Sequence, residues 1–458
     1  MPSTTKKNTE INNVFTTSLR KPVLERHFGL DTGILFNLQT HFSGMDSYVV
    51  LRARRLIDGT GRDPVDHPVV VVKNNSISEV GVEGYVVLPR GRDVEEVTFE
   101  GGTMLPGLID SHVHLALGTR GSYEEMMGET DGVHMMTGII NAREALHAGI
   151  TTVKEAGARN QVALDLREGW RRGLIESPRL VVSGRPLTVP SGHFHFCNDN
   201  ECRDADEVRM RVKQLVGEGV DFIKVMASGG GTRGTSNWKP SFSEEEIRAA
   251  VDEAHKLGRT VSAHCEAYES VGNAARAGVD VLEHCGFILT DGSRGFDEEV
   301  VRTMAEKKLY YDPTLQTGSS ARDALREKEK DGALTEDERS ALEGLDYKIR
   351  RKSENLARMV EMGVQVVAGS DGIGLGNSAR LIRAMELMVE AGMTPLQVIA
   401  SATGNAARAM RMDYLFGALK VGLEADVIAV EGDPSVDISS LRSVKMVMQS
   451  GRIVHPRT

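Results

Sequence analysis

Gly107-Leu108-Ile109-Asp110-Ser111-His112-Val113-His114 is the stretch whose reading decides the fold. Leu108 and Ile109 read as the end of a buried strand, and two histidines follow at i and i+2. Successive strand side chains point to opposite faces, so His112 and His114 share a face and can reach one metal ion. A motif this short is a hypothesis until its surroundings agree with it.

Downstream of His114 the chain alternates between two textures. Helices are predicted at 133–148, 160–173, 204–218, 243–257, 268–277 and 296–307. Strands are predicted between them at 150–155, 179–183, 220–226, 259–264, 279–284 and 309–313. Ser243 with Glu246 three residues on is a capping-box signature. Strands alternating with helices argue for a parallel sheet. From the His112 strand to 364–370 there are eight strand candidates. That count fits an α/β protein built on a (β/α)8 TIM barrel, whose active site lies at the C-terminal ends of the strands. Residues 316–352, between the seventh and eighth strands, break the rhythm: they are long, charged and helix-prone, with Thr335 and Glu338 as another capping box. Two readings stand for this insertion, a lid or oligomer contact and a plain solvated helical excursion. Helices at 378–392 and 395–410 follow.

Upstream, the chain from Tyr48 reads as short β-branched runs separated by turns, ending at Gly101-Gly102 and Pro106-Gly107. The C-terminal stretch, with Val427 to Val430 and Val444 to Met448, is β-like again. We expect 45–104 and 417–458 to pair into one small β-sandwich domain, with the barrel at 105–416 inserted between them. Residues 1–44 are polar and rich in Thr and Asn, without the apolar core of a signal peptide. They are expected to be a flexible N-terminal segment, with Met45 as an alternative start.

The bulk composition excludes several classes. The net charge is −10, from 55 Lys and Arg against 65 Asp and Glu, and nucleic-acid binding needs clustered basic residues. No run of apolar residues is long enough to span a membrane. Four cysteines in 458 residues do not make a disulfide framework, so reduced thiols in a cytoplasmic protein are expected. A small-molecule substrate and a homo-oligomer are the expected partners. The run Gly229-Gly230-Gly231 lacks the Gly-Lys-Ser/Thr of a phosphate-binding loop.

The strand ends carry one chemical set. The first strand offers His112 and His114, the fourth Lys224, the fifth His264, the sixth His284 and the eighth Asp371. A buried polar group without a partner costs free energy, so packing alone does not explain the coincidence. Imidazoles with a carboxylate suit zinc, and also manganese, iron or cobalt. Lys224 cannot be a ligand as an ammonium, but a buried lysine loses its proton readily. Its neutral amine can add carbon dioxide to form a carbamate whose two oxygens bridge two metals.

This set resembles the amidohydrolase superfamily. Leu56-Ile57-Asp58-Gly59-Thr60-Gly61 and Gly422-Leu423-Glu424-Ala425-Asp426-Val427-Ile428 resemble its opening and closing β segments. The resemblance implies one or two divalent metals, with carboxylated Lys224 bridging them. It assigns His112, His114 and Asp371 to one metal, and His264 and His284 to the other. Phe222 to Gly230 resembles the branch of prolidase-like dipeptidases, ochratoxin-cleaving amidases, and molinate and phenylurea hydrolases. The following Gly231 to Asn237 departs from the dipeptidase pattern and leaves room for a xenobiotic amide, phenylurea, thiocarbamate or N-acyl amino acid. The expected reaction is cleavage of a C–N bond by a metal-activated hydroxide, with Asp371 moving the proton. His193, after the third strand, is a candidate oxyanion donor with His195 as the weaker one, and Arg233 is either a bidentate fork for a substrate carboxylate or a surface arginine. The alternatives are a Xaa-Pro-type dipeptidase, a cyclic-amide hydrolase of the imidazolonepropionase type, in which no bridging lysine is expected, and a non-enzymatic scaffold.

Overall fold

A computed structural model of the chain describes residues 46–89, 94–118, 126, 128–373 and 377–456. The 1–44 segment lies outside the described residues.

The two ends of the chain build one eight-stranded sheet. Its hydrogen-bonded order is Arg452–His455, Val444–Gln449, Val427–Glu431, Val94–Pro106, Tyr48–Leu56, Pro68–Lys73 and Ser76–Val82, with Val65–Asp66 off the path beside Tyr48–Leu56. Both faces are covered, because alternate residues of one strand enter different apolar clusters. Val70 and Val72 pack with Leu51 and Met104, whereas Val69 and Val71 pack with Val50. Of the two end signals, Gly101-Gly102 and Pro106-Gly107, the second is the one at which the strand stops: it runs through the glycines to Pro106. Glycine here permits close approach rather than a turn: a Cβ at Gly102 would meet the Val430 carbonyl of the neighbouring strand at 2.9 Å.

Between these ends lie two parallel sheets flanked by helices. One is ordered Gln365–Val366, Tyr310–Asp312, Val281–Glu283, Thr260–His264, Phe222–Met226. The other is ordered Gly372–Ile373, Leu108–His114, Ile150–Glu155, Arg179–Val182. Backbone hydrogen bonds join their edges. On one side Asp221 N donates to Val182 O at 2.8 Å and Leu187 N to Lys224 O at 2.8 Å. On the other, Ser111 N donates to Ala368 O at 2.9 Å and Asp371 N to His112 O at 2.7 Å. Lys154 of one sheet also hydrogen-bonds Ser262 of the other across the space between them.

The helices fall where apolar periodicity and caps place them, from Asp131–His147 through Glu298–Glu306. Two stretches differ. The 395–410 helix is two, Pro395–Ser401 and Gly404–Ala409, because Thr403 leaves helical backbone (φ −142°, ψ −100°) where Gly404 N bonds Gly59 O at 3.2 Å. The charged insertion is also two helices, Ser319–Lys330 and Glu336–Glu361. The second is capped by Thr335 and Glu338 as predicted, and passes 352 without a break. It buries Ile349, Lys352, Leu356 and Met359 at helical spacing, so one face is packed rather than solvated.

Arg179 ties the parallel strands to the terminal sheet. Its guanidinium donates to Asp426 at 2.7 Å and Thr152 Oγ1 at 2.8 Å, pairs with Glu424, and lies over the Phe416 ring at 4.4 Å. Removing one partner of a buried ion pair leaves an uncompensated charge. Arg179→Ala is expected to lower the free energy of unfolding by about 3–5 kcal/mol, measured by urea denaturation.

Candidate metal centre

All seven residues of Leu108–His114 are buried, and alternation places Asp110, His112 and His114 on one face. His114 Nδ1 donates to Gly157 O at 3.1 Å, which leaves its Nε2 as the open lone pair. Asp371 Oδ1 stands 3.5 Å from Nε2 of both His112 and His114. The Asp371 backbone is held at φ +45° by its hydrogen bond to His112 O, so the strand pairing itself aims this carboxylate. His112, His114 and Asp371 each offer a donor atom within 4.8 Å of the others.

A second donor set, with the same spacing limit of 4.8 Å, joins His112 to Glu283 and His284. Glu283 ends its strand, and His284 and Cys285 turn away with φ +67° and +41°. Such strained backbone clusters at functional sites. His284 Nδ1 bonds Thr314 Oγ1 at 2.7 Å. His264 packs edge-to-face with His284 at 4.5 Å between ring centroids, and its Nε2 donates to Gly229 O at 3.1 Å. It belongs to neither four-ångström-scale donor set, but it stands beside both.

Lys224 is enclosed at the centre. Its ammonium pairs with Glu283 and donates to His112 Nε2 at 3.2 Å. Beneath it, Lys154 lies over the Phe222 ring, and burial pushes it down to about 8. Burial, with the Lys224 charge behind it, holds His112 well below its ordinary value and takes His114 down to about 3. Burial also lifts Asp371 to about 6 against the opposing pull of Lys224. The imidazoles are therefore neutral, the form in which they bind a metal. The donor types fit a divalent ion: Nε2 of His112 and of His114 both face the Asp371 carboxylate at 3.5 Å.

His193 joins the same cluster, 4.6 Å from His264 between ring centroids. Its Nδ1 accepts from Thr232 N at 3.3 Å and lies 2.6 Å from Thr232 Oγ1, so its proton sits on Nε2. Nε2 lies over Gly230, where any Cβ would come within 2.6 Å. His195 is half-buried and turned to Gly192 O at 2.9 Å, and Arg233 is exposed. The structure thus gathers His112, His114, Lys224, His264, His284, Asp371 and His193, and leaves His195 and Arg233 aside.

Sequence reasoning missed Glu283, Asp312, Lys154 and Lys352. The first three share the interior face with the named ligands, at the alternation of Phe222 with Lys224 and Ser262 with His264. That phase was the available signal. Lys352 reaches Thr314 O at 3.0 Å from the insertion helix, a contact that only packing reveals.

A family model described as "Amidohydrolase family" matches residues 103–454. Ochratoxinase of Aspergillus niger is 28% identical over 438 residues, covering 87% of this chain and 84% of that protein. Its crystal structure has a TM-score of 0.75, at 25% identity, covering 89% of this chain and 95% of that one. A Xaa-Pro dipeptidase with methionine in its active site has a TM-score of 0.76, at 27% identity, covering 89% of this chain and 99% of that one. Imidazolonepropionase of Thermoplasma volcanium is 21% identical over 423 residues, covering 86% of this chain and 92% of that protein. These likenesses imply a TIM-barrel fold with an additional domain. With its neutral imidazoles, carboxylates and central lysine, the chain belongs to the amidohydrolase family and is a hydrolase of carbon–nitrogen bonds in amide-type substrates.

Proposed function

We propose that the chain is a metal-dependent amidase of small N-acyl amino acids, working with zinc at the His112, His114 and Asp371 set. The observation that carries the reading is the convergence of these three donors, with the buried neutral His193 packed against the neighbouring His264. The two parallel sheets are read as halves of one closed barrel, supported by the hydrogen bonds at both edges. The terminal strands are read as a sandwich-like domain, supported by apolar clusters on both faces.

A divalent ion held there supplies Lewis acidity toward a carbonyl and lowers the pKa of water. Asp371, 3.5 Å from both histidines of the set, can take a proton from the attacking water and deliver it to the departing nitrogen. His193 Nε2–H is free to donate to the developing oxyanion, since Thr232 fixes the tautomer from the other side. Carboxylation of Lys224 would replace an ammonium that pairs with Glu283 by an anion beside it. Bound cations offset that repulsion, so carboxylation and metal loading are coupled in this reading.

An N-acyl amino acid is favoured within the class because positive charges from Lys348, Lys352 and Arg380 act on Asp371. Lys348 and Arg380 act on Asp371 through charge, and we assign them to a substrate carboxylate. A phenylurea or thiocarbamate has no such anion.

Hydrolysis of matched N-acyl amino acids and their C-terminal amides tests this reading, with the acids expected to turn over faster. Equal rates on both would remove the carboxylate preference, and no hydrolysis of either would remove the amidase reading. Dialysis against a chelator is expected to abolish turnover, and added zinc to restore it. Lys224→Ala is expected to lose both turnover and stoichiometric metal, read by elemental analysis. His193→Ala should keep its metal and lose about 10²–10³ in kcat, the range for a lost oxyanion donor.

A further inference from the structure

Two buried atoms beside the candidate metal centre are left incomplete. His112 Nδ1 and Asp312 Oδ2 have no hydrogen-bond partner among the described residues, and they stand 3.5 Å apart. The His112 tautomer is fixed from its other side. Lys224 Nζ donates to Nε2 at 3.2 Å, so the imidazole proton is on Nδ1, facing the carboxylate. The backbone makes room for this approach at one position. A Cβ on Gly369 would lie 2.1 Å from Asp312 Oδ2 and 2.7 Å from His112 Cβ.

The same turn reaches a second histidine. Asp312 Oδ1 accepts from Thr314 N at 3.2 Å, which holds a tight turn with Thr314 at φ +42°. Thr314 Oγ1 bonds His284 Nδ1 at 2.7 Å. Lys352 Nζ, from the insertion helix, donates to Thr314 O at 3.0 Å and Oγ1 at 3.2 Å. His112 and His284 come from different strands, with ring centroids 5.3 Å apart. One three-residue turn, Asp312-Pro313-Thr314, therefore addresses the outer nitrogens of both.

We infer that Asp312-Pro313-Thr314 is a bracket of positioning residues: Asp312 orients His112 through Nδ1, Thr314 orients His284 through Nδ1, and both rings then present Nε2 to a divalent cation. The inference rests on the metal centre proposed above. Metal-bound histidines ordinarily donate their second N–H to a carboxylate or another acceptor, and loss of that acceptor costs about 10–100-fold in metal affinity. Lys352 extends the bracket to the insertion helix, whose packed face holds Thr314 in place.

The test is zinc affinity of the full chain by competition with a chromophoric chelator, together with the visible spectrum of the cobalt form. Thr314→Val removes the hydroxyl with little change in volume and is expected to weaken zinc binding about tenfold or more, with an altered cobalt spectrum. Thr314→Ser should recover most of the affinity, which a purely structural role for the side chain does not predict. Asp312→Asn should weaken binding less than Asp312→Ala. Wild-type affinity and an unchanged cobalt spectrum in a folded Thr314→Val protein would overturn the bracket and leave the metal centre standing. Wild-type protein that binds no stoichiometric metal would overturn both. A crystal structure of the zinc-loaded wild type gives a reading independent of any variant's folding. His112 Nδ1 should close to hydrogen-bond distance of Asp312 Oδ2, about 3 Å, and a separation of 3.5 Å or more would count against the inference.

Discussion

The Lys224–Glu283 ion pair is the constraint on which the rest of the interior depends. Both side chains are fully buried, in a region where isolated charge is costly. The pair cannot be considered alone, because Lys154, Asp312, Asp110 and Asp371 lie around it, delivered by different strands. Parallel strand register sets who meets whom: Ser262 is level with Lys224, and Glu283 with His264. A slip of one residue in any of these strands would turn its interior polar group out into the apolar layer beneath the helices. The charge cluster therefore both demands a specific register and is made tolerable by it.

Much of the candidate centre was legible because most of its members lie at or near strand ends and differ in chemistry from their neighbours. His114 and His264 are the last residues of their strands, His112 lies two residues before His114 on the same face, and Lys224 interrupts the apolar run Phe222 to Met226 in mid-strand rather than at its expected end. His284 sits one residue beyond its strand, and the left-handed backbone that aims it leaves no mark in the sequence. Glu283 is masked in the sequence by the adjacent His284, and Asp312 is a lone carboxylate at the end of a three-residue strand, where only the alternation of the strand marks it as interior. Lys352 was illegible for another reason. In a helix as charged as Glu336–Glu361, one lysine reads like the rest of a solvated face. The break at Thr403 was equally hidden, since a distant backbone contact with Gly59 imposes it on residues that tolerate a helix.

An ochratoxinase and a Xaa-Pro dipeptidase share this architecture, which agrees with the rule that function lives in sites carried by common folds. Two contacts beyond the strand ends orient rings of the cluster. The loop carrying Thr232 fixes His193, and the insertion helix fixes Thr314. Each reaches a histidine of the centre through a threonine, so a loop that shapes the pocket also sets the orientation of a reacting or ligating ring.

The terminal sheet has a consequence for how the molecule comes into being. Val94–Pro106 has Tyr48–Leu56 on one side and Val427–Glu431 on the other. On the ribosome the first side can pair early, but the second partner emerges only after every parallel strand has been made. Until then Val94–Pro106 is an open edge, and its Thr103 to Pro106 end, buried in the finished fold, is uncovered. Domains whose contacts close late in synthesis expose such edges longest. For this protein, completion of the last strands is the step at which a nascent chain stops being a hazard to its neighbours.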